Sequence, residues 1–361
     1  MDTPMSSGPY AHAAASVSRT MLLVMLALLP ATLFGIYAYG WPALNLLLVT
    51  LAAAMIAEAA CLKIAGRPIK PYLTDGSAVL TGWLLAMTLP PSAPWWIGVT
   101  GSVFAIVVAK QVFGGIGQNL FNPAMVARVV LLIAFPLEMT TFVTPRPLFS
   151  GDAPGFLQGL AITFGNQPQA DIVSSASTLG HIKTEVSQGN TVTDALASVF
   201  DLATSFIGYI PGSLGETSAL LILLGGLYLL YKRIITWHIP VSMIGSLLLL
   251  AMLFHWLDPD TYPGPLVHLL SGATLLGAFF IATDLVTSPV TAKGQLLFGA
   301  GCGLLVFVIR TWAGYPEGMA FAVLLMNAVT PLIDHYIRPR VYGRDRKGEP
   351  LAYDSKAEPP Q

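Results

Sequence analysis

The chain has 361 residues, of which 54% are hydrophobic and only 10% charged, and its mean hydropathy is +0.68. Soluble domains carry about 25% charged residues, so this composition excludes an ordinary soluble protein. The formal net charge of −1 says nothing about partners, whereas the distribution of the charges is informative; no nucleic-acid partner is expected.

Inside lipid the backbone must satisfy its own hydrogen bonds, so long apolar runs become helices. The two-residue alternation of a lipid-facing barrel is absent. Ten apolar segments are predicted, at about 20–39, 42–62, 77–89, 95–113, 122–137, 217–231, 238–256, 266–283, 294–313 and 318–336. The expected fold is an all-α polytopic membrane protein. The first segment follows Arg19 with no recognisable cleavage site and is read as a retained helix. The third segment stops at Pro90-Pro91, and the fifth starts at Asn122-Pro123 and stops at Pro136. Such short, Pro-bounded segments suggest half-length helices, which are tolerated only against protein or a cavity.

Basic residues orient this map. With the N-terminus inside, 14 of the 18 Lys and Arg residues fall on inner loops and tails. Only Arg146 and Lys183 fall outside, and Arg128 and Arg310 lie within segments. This bias predicts an inner (cytoplasmic) membrane protein with both termini cytoplasmic. The organisation expected is a 1–19 tail, a first membrane repeat over 20–137, an extracytoplasmic loop over 138–216, a second repeat over 217–336 and a basic tail over 337–361. Both halves have a short third segment and a fifth with internal Asn and Pro, as in Asn119-Leu-Phe-Asn122-Pro123 and Met326-Asn327-Ala-Val-Thr330-Pro331. Five helices per repeat would invert the second copy and put a site between broken helices; close packing of small residues accounts for the same pattern without a repeat.

In chain order, the polar clusters begin with Glu58 and Lys110, which lie near inner ends and can snorkel. Asp75-Gly76-Ser77 places a capping carboxylate ahead of the third segment. The run Gly114-Gly115-Ile-Gly117-Gln118-Asn119-Leu-Phe-Asn122-Pro123 lets the backbone approach a ligand at Gly115 and Gly117. Asn119 and Asn122 supply donors and acceptors that suit a flavin's pyrimidine edge. Asn122 is equally an N-cap with Pro123 at N1. The polar 138–216 loop carries Asp171-Ile-Val-Ser174-Ser-Ala176-Ser177-Thr178. Asp284, ending the eighth segment, could line an ion path or cap. Arg310, toward the outer end of the ninth, suits either an ion pair or a bidentate contact to a flavin phosphate. Glu317 sits where it favours the start of the last helix. Cys61 and Cys302 lie apart in apolar segments and cannot by themselves hold an iron–sulfur cluster. No metal-ligand set is expected.

The loop stretch resembles the Asp-x-x-Ser/Thr-x-Ala-Thr/Ser signal at which a flavin transferase esterifies FMN to a hydroxyl. Ser177 takes the acceptor position where Thr is usual, so Thr178 is a rival acceptor; a Ser-rich surface loop is the plain alternative. Asp171, Ser174 and Ala176 complete the signal, with Asp171 suited to positioning the backbone or a metal-bound donor.

Together, Asp75-Gly-Ser-Ala-Val-Leu-Thr81-Gly82, Leu89-Pro-Pro, Pro94-Trp-Trp, the Gly114 to Ala124 run, the Ser177 motif, Tyr315-Pro-Glu-Gly318, Met326-Asn327 and Pro331-Leu-Ile-Asp334 resemble the D-type subunits of Rnf (Rsx) complexes. These are ion-translocating ferredoxin:NAD oxidoreductases. The chain is similar, more distantly, to the B-type subunits of Na⁺-translocating NADH:quinone reductases, which usually have a longer N-terminal region. The resemblance implies covalent FMN at Ser177 and a second, noncovalent flavin, riboflavin, near Asn119. It implies a flavin-bearing G subunit and membrane iron–sulfur A and E subunits as partners, a flavin transferase for maturation, and coupling to Na⁺ or H⁺. A transporter or channel on the same scaffold, and a subunit that has lost its flavin, are the competing readings.

Overall fold

The computed structural model describes residues 16–165, 177–315, 317–339 and 343. Among them there are helices and loops and no β-strand. Each of the ten predicted segments is helical, with edges that move by a few residues. Five helices are long and apolar enough to cross a membrane: α1 Val17–Tyr39, α2 Trp41–Ile64, α13 His238–Leu257, α16 Ala292–Trp312 and α17 Met319–Tyr336. The others, in chain order, are α3 Ile69–Leu73, α4 Ser77–Thr88, α5 Trp95–Val103 with π-helical turns to Gln111, α6 Pro123–Ala134, α7 Pro136–Thr140, α8 Phe156–Phe164, α9 Thr178–Ser187, α10 Val192–Val199, α11 Leu202–Ile207, α12 Ala219–Tyr231, α14 Pro265–Leu270 and α15 Thr274–Leu276. The chain is a multi-pass membrane protein.

Short helices sit where the Pro pattern puts them. Helices α4 and α6 have 12 residues each and rise about 18 Å, less than the roughly 30 Å of hydrocarbon. Their free ends are covered by chain: α4 packs against α2 and α6, and Leu214 N–H donates to the Leu89 carbonyl just past the end of α4 (3.2 Å). The eighth segment departs from the expected continuous run. It is interrupted between α14 and α15 at Gly272, whose φ of +69° is in the left-handed region, and resumes through π-helical turns over Gly277–Ile281.

Packing is closest between α13 and α16. Gly299 and Gly303 of α16 lie directly against Ser242, Ser246 and the carbonyls of Ile239 and Met243. Small residues one turn apart let two backbones meet, which is how helices gain contact where lipid provides no hydrophobic drive.

Two expectations are corrected. Lys110 and Glu58 do not snorkel: their side chains are 3% exposed and pair at 3.0 Å. The sequence separation of 52 residues hid the pairing, and two charges held in a buried site need each other. The 138–216 region, read as a polar loop, contains the helices α8 to α11. Trp41 packs edge-on to Phe156 at 5.1 Å, anchoring α8 to the start of α2.

The molecule has two ends. Lys63, Arg67, Lys110, Lys232 and Arg233 gather at the one called here the basic end, where Arg67 donates to the Gly114 carbonyl at 2.9 Å. Helices α8 to α11 cover the opposite, loop end.

Candidate functional site

At the loop end, Ser177 is the N-cap of α9. Its backbone is extended, and its Oγ accepts from the Gly180 N–H at 3.3 Å. Ser177 is half-buried. Thr178 is only 2% exposed, and its hydroxyl has no partner among the described residues. The other members of the motif, Asp171, Ser174 and Ala176, lie outside the described residues.

Helix α9 is fastened on two sides. Leu179 and Ile182 form an apolar cluster with Val192 and Ala195 of α10 and Val267 of α14. On the other side Lys183 Nζ donates to the carbonyls of Arg310 (3.2 Å), Ala313 and Tyr315 (3.4 Å). The Arg310 and Ala313 carbonyls lie at the C-terminal end of α16, where a cation is favoured by the helix dipole. Partial burial lowers the pKa of Lys183.

Between α9 and the bundle is a cavity of about 280 Å³, lined by Leu179, Ile182, Tyr262, His268, Arg310 and Trp312 among others. A single water needs roughly 10–15 Å³ by the same measure, so the space suits a ring-sized organic group. Arg310 is 5% exposed and its terminal nitrogens are committed. Nη1 donates to the His268 carbonyl at 2.8 Å, and Nη2 to the Ser271 carbonyl at 3.2 Å and to Glu317 Oε1 at 3.0 Å. The ion-pair alternative for Arg310 is therefore the one observed, and the fork is not free for bidentate phosphate binding; Nε alone has no partner among the described residues. Glu317 in turn accepts from Ala273 N–H (3.0 Å) and Met319 N–H (3.3 Å), so it stitches the α14–α15 break to the start of α17.

At the basic end, Gly114, Gly115 and Gly117 have φ of 113°, 100° and 85°, a run that β-carbon-bearing residues adopt only with strain. It delivers Asn119 and Asn122 to a second cavity, of about 110 Å³, shared with Ser77, Lys110, Phe280 and Asp284. Gly115 and Gly117 stay in the turn beside that cavity and do not line it. Asn122 is the N-cap of α6, accepting from Ala124 N–H (3.1 Å) and Met125 N–H (3.3 Å). Asn119 donates to the Phe121 carbonyl at 3.1 Å.

The two halves interlock here. Asn122 Nδ2 lies 3.5 Å from Asp284 Oδ2, and Asp284 accepts from Val286 N–H and the Thr287 hydroxyl. Asn327, its amide oriented to suit both neighbours, accepts from Asn122 N–H (3.1 Å) and donates to the Thr287 carbonyl (3.3 Å). Lys110 adds a bond to Ser77 Oγ at 2.8 Å, and Ser77 Oγ donates to Asp75 Oδ1 at 2.6 Å. The N-cap of α4 is Gly76 and not Asp75; Asp75 sits one residue earlier, accepts from the Ser77 N–H at 2.7 Å and holds the hydroxyl that Lys110 reaches.

Sequence reasoning missed His268, Lys183 and Glu216. Glu216 and Arg128 are both buried, and Arg128 Nη1 is unpartnered among the described residues. A lone His or Glu within or beside an apolar run was the available signal.

Membrane-crossing helices, half-length helices abutting interior cavities and buried charge pairs define a polytopic membrane protein with polar interior sites at both ends. The model of the NQR2, RnfD, RnfE family matches residues 4–343, and the chain belongs to that family. It is 58% identical over 348 residues to a protein of Halorhodospira halophila, covering 96% of this chain and 98% of the relative. It is 58% identical over 336 residues to one of Stutzerimonas stutzeri, covering 93% and 95%. It is 44% identical over 355 residues to one of Escherichia coli K12, covering 95% and 99%. All three relatives are named as the D subunit of an ion-translocating oxidoreductase complex.

Proposed function

We propose that this chain is the D-type electron-transfer subunit of an ion-translocating ferredoxin:NAD oxidoreductase and that it carries FMN as a phosphoester on Ser177. The observation that carries the flavin reading is the position of Ser177: a half-buried hydroxyl at the start of a ten-residue helix, two residues before Leu179, which lines the 280 Å³ cavity. Two residues of chain span at most about 7.6 Å between Cα atoms. An ester phosphate on Ser177 would sit at the N-terminus of α9, where free N–H groups and the helix dipole favour anions. Thr178 is the weaker acceptor because its hydroxyl is buried. A Ser hydroxyl is a poor nucleophile without a neighbouring base, so a separate flavin transferase performs the attachment. A bound flavin would exchange one or two electrons, and the protein supplies its position and surroundings.

The names of the relatives support the complex and the translocase role. The basic-residue bias supports the inner membrane, cytoplasmic termini and an extracytoplasmic 138–216 loop. On that orientation Ser177 faces an exported transferase and a flavin-bearing G-type partner, with iron–sulfur A- and E-type subunits alongside in the membrane. A second, noncovalent flavin of the riboflavin type belongs beside Asn119 and Asn122 at the basic end, and redox change is coupled to movement of Na⁺ or H⁺.

The test is in-gel flavin fluorescence of the denatured chain after coexpression with the transferase. Fluorescence is expected in the wild type and in Thr178→Val and is expected to vanish in Ser177→Ala. A dark wild-type band, or a bright Ser177→Ala band, overturns the attachment.

A further inference from the structure

We propose that His268 is the hydrogen-bonding residue through which the loop-end cavity holds the redox ring, a proposal that rests on the reading of Ser177 as the attachment point. His268 lies in α14, is 3% exposed and lines the cavity. Neither of its ring nitrogens has a partner among the described residues. A neutral imidazole has one donor and one acceptor, and buried polar atoms are almost always satisfied by protein, ligand or ordered water. The ring packs beside Phe307, with centroids 5.6 Å apart, and its backbone carbonyl is held by Arg310 Nη1. Backbone and ring are thus supported while the polar atoms are left unused.

The rest of the cavity narrows what can use them. Arg310 Nε is a second unused donor on the same wall. Leu179, Ile182, Tyr262 and Trp312 supply apolar and aromatic surface. A lipid tail would leave the imidazole and Nε unsatisfied, which is costly away from water. A flat heteroaromatic ring with nitrogen and carbonyl acceptors on one edge satisfies both the donors and the apolar walls. An isoalloxazine tethered two residues from Leu179 has that chemistry. The charged groups around His268 are Arg310 on α16, Lys183 on α9 and Glu317 across the Arg310 guanidinium; His255 of α13 is engaged with the Tyr262 carbonyl at 2.8 Å. The role assigned to His268 is hydrogen bonding and needs no change in its charge.

The experiment uses the full chain, coproduced with the transferase and purified in detergent, with His268→Ala and His268→Gln compared with wild type. Covalent flavin is read by in-gel fluorescence, and the midpoint potential of the covalently held flavin by spectroelectrochemical titration. Full labelling is expected in both variants, because His268 is not the attachment residue. The potential is expected to fall in His268→Ala, since a lost donor favours the reduced flavin less, and to recover part of the way in His268→Gln. Full labelling with wild-type potential in His268→Ala overturns the proposal and means that water satisfies the imidazole. An unlabelled wild type instead overturns the Ser177 reading. Should His268→Ala fail to accumulate, Ile182→Trp fills the same cavity from α9; an unchanged potential in that fully labelled variant overturns the proposal equally.

Discussion

The two cavities differ in how their polar groups are used. At the basic end Lys110, Glu58 and Ser77 satisfy one another within the first half, and Asn122 joins Asp284 and Asn327 across the two halves. None of the polar atoms lining that cavity is buried without a partner among the described residues. At the loop end His268 and Arg310 Nε line the cavity unpartnered, and Thr178 close by has a hydroxyl in the same condition. The basic-end network is complete in the chain alone, and any ligand entering there must exchange with existing bonds. At the basic end the polar side chains are tied to one another, and at the loop end several are left without a partner among the described residues.

The largest break in this contrast is expected from Lys110→Met. It leaves Glu58 as an uncompensated buried charge, a loss of roughly 3–5 kcal/mol, so the amount of folded protein in the membrane should collapse. The double change Lys110→Met with Glu58→Leu should restore much of it. Normal accumulation of the single variant would show that the basic end does not depend on the Lys110–Glu58 pair.

Next is Gly272→Ala. A β-carbon there meets the Glu317 carboxylate and the Arg310 guanidinium, at a φ of +69°. Backbone strain of this kind costs about 1–3 kcal/mol, and the displaced ion pair adds to it. Thermal unfolding of the purified chain should drop, and loop-end properties should change while the basic end keeps its bonds.

Asn122→Ala is expected to cost about 1–2 kcal/mol, because it removes a cap with two backbone partners together with the contact to Asp284. Asn122→Asp should recover the cap and lose the contact, since two carboxylates would then face each other. Comparing the two by unfolding temperature separates capping from the link between halves. Smallest in stability is Ser177→Ala, about 1 kcal/mol for the lost cap. Ser177→Thr should keep both cap and flavin. A Ser177→Thr chain that folds but stays unlabelled after coexpression would mean that the loop end depends on the residue itself and not on its hydroxyl.

Much of the fold was legible because it follows from one physical constraint. Lipid forces helices, and Pro90-Pro91, Asn122-Pro123 and Pro136 mark where they stop. The Asn122 cap was readable because it is local, formed with residues two and three positions on. The Glu58–Lys110 pair was not, because nothing local distinguishes a charge that snorkels from one that finds a partner 52 residues away. The interruption at Gly272 was hidden inside an apolar run, where a positive φ leaves no hydropathy signal. For the candidate site, the sequence pointed to Ser177 by motif and to Asn119 and Asn122 by chemistry. It could not point to His268, whose distinction is a pair of buried ring nitrogens without a hydrogen-bond partner among the described residues, which only the packed structure reveals.

The Ser177 hydroxyl has a consequence for the order of assembly. The oxygen that accepts from Gly180 N–H is the same oxygen proposed to receive the phosphate. Esterification replaces its hydrogen and leaves its lone pairs, and the added phosphate oxygens bring negative charge to the first turn of α9. The helix start therefore loses no acceptor when it is loaded and gains a stronger one. On the proposed chemistry, the modification that installs the redox group would also stabilise the helix start that carries it.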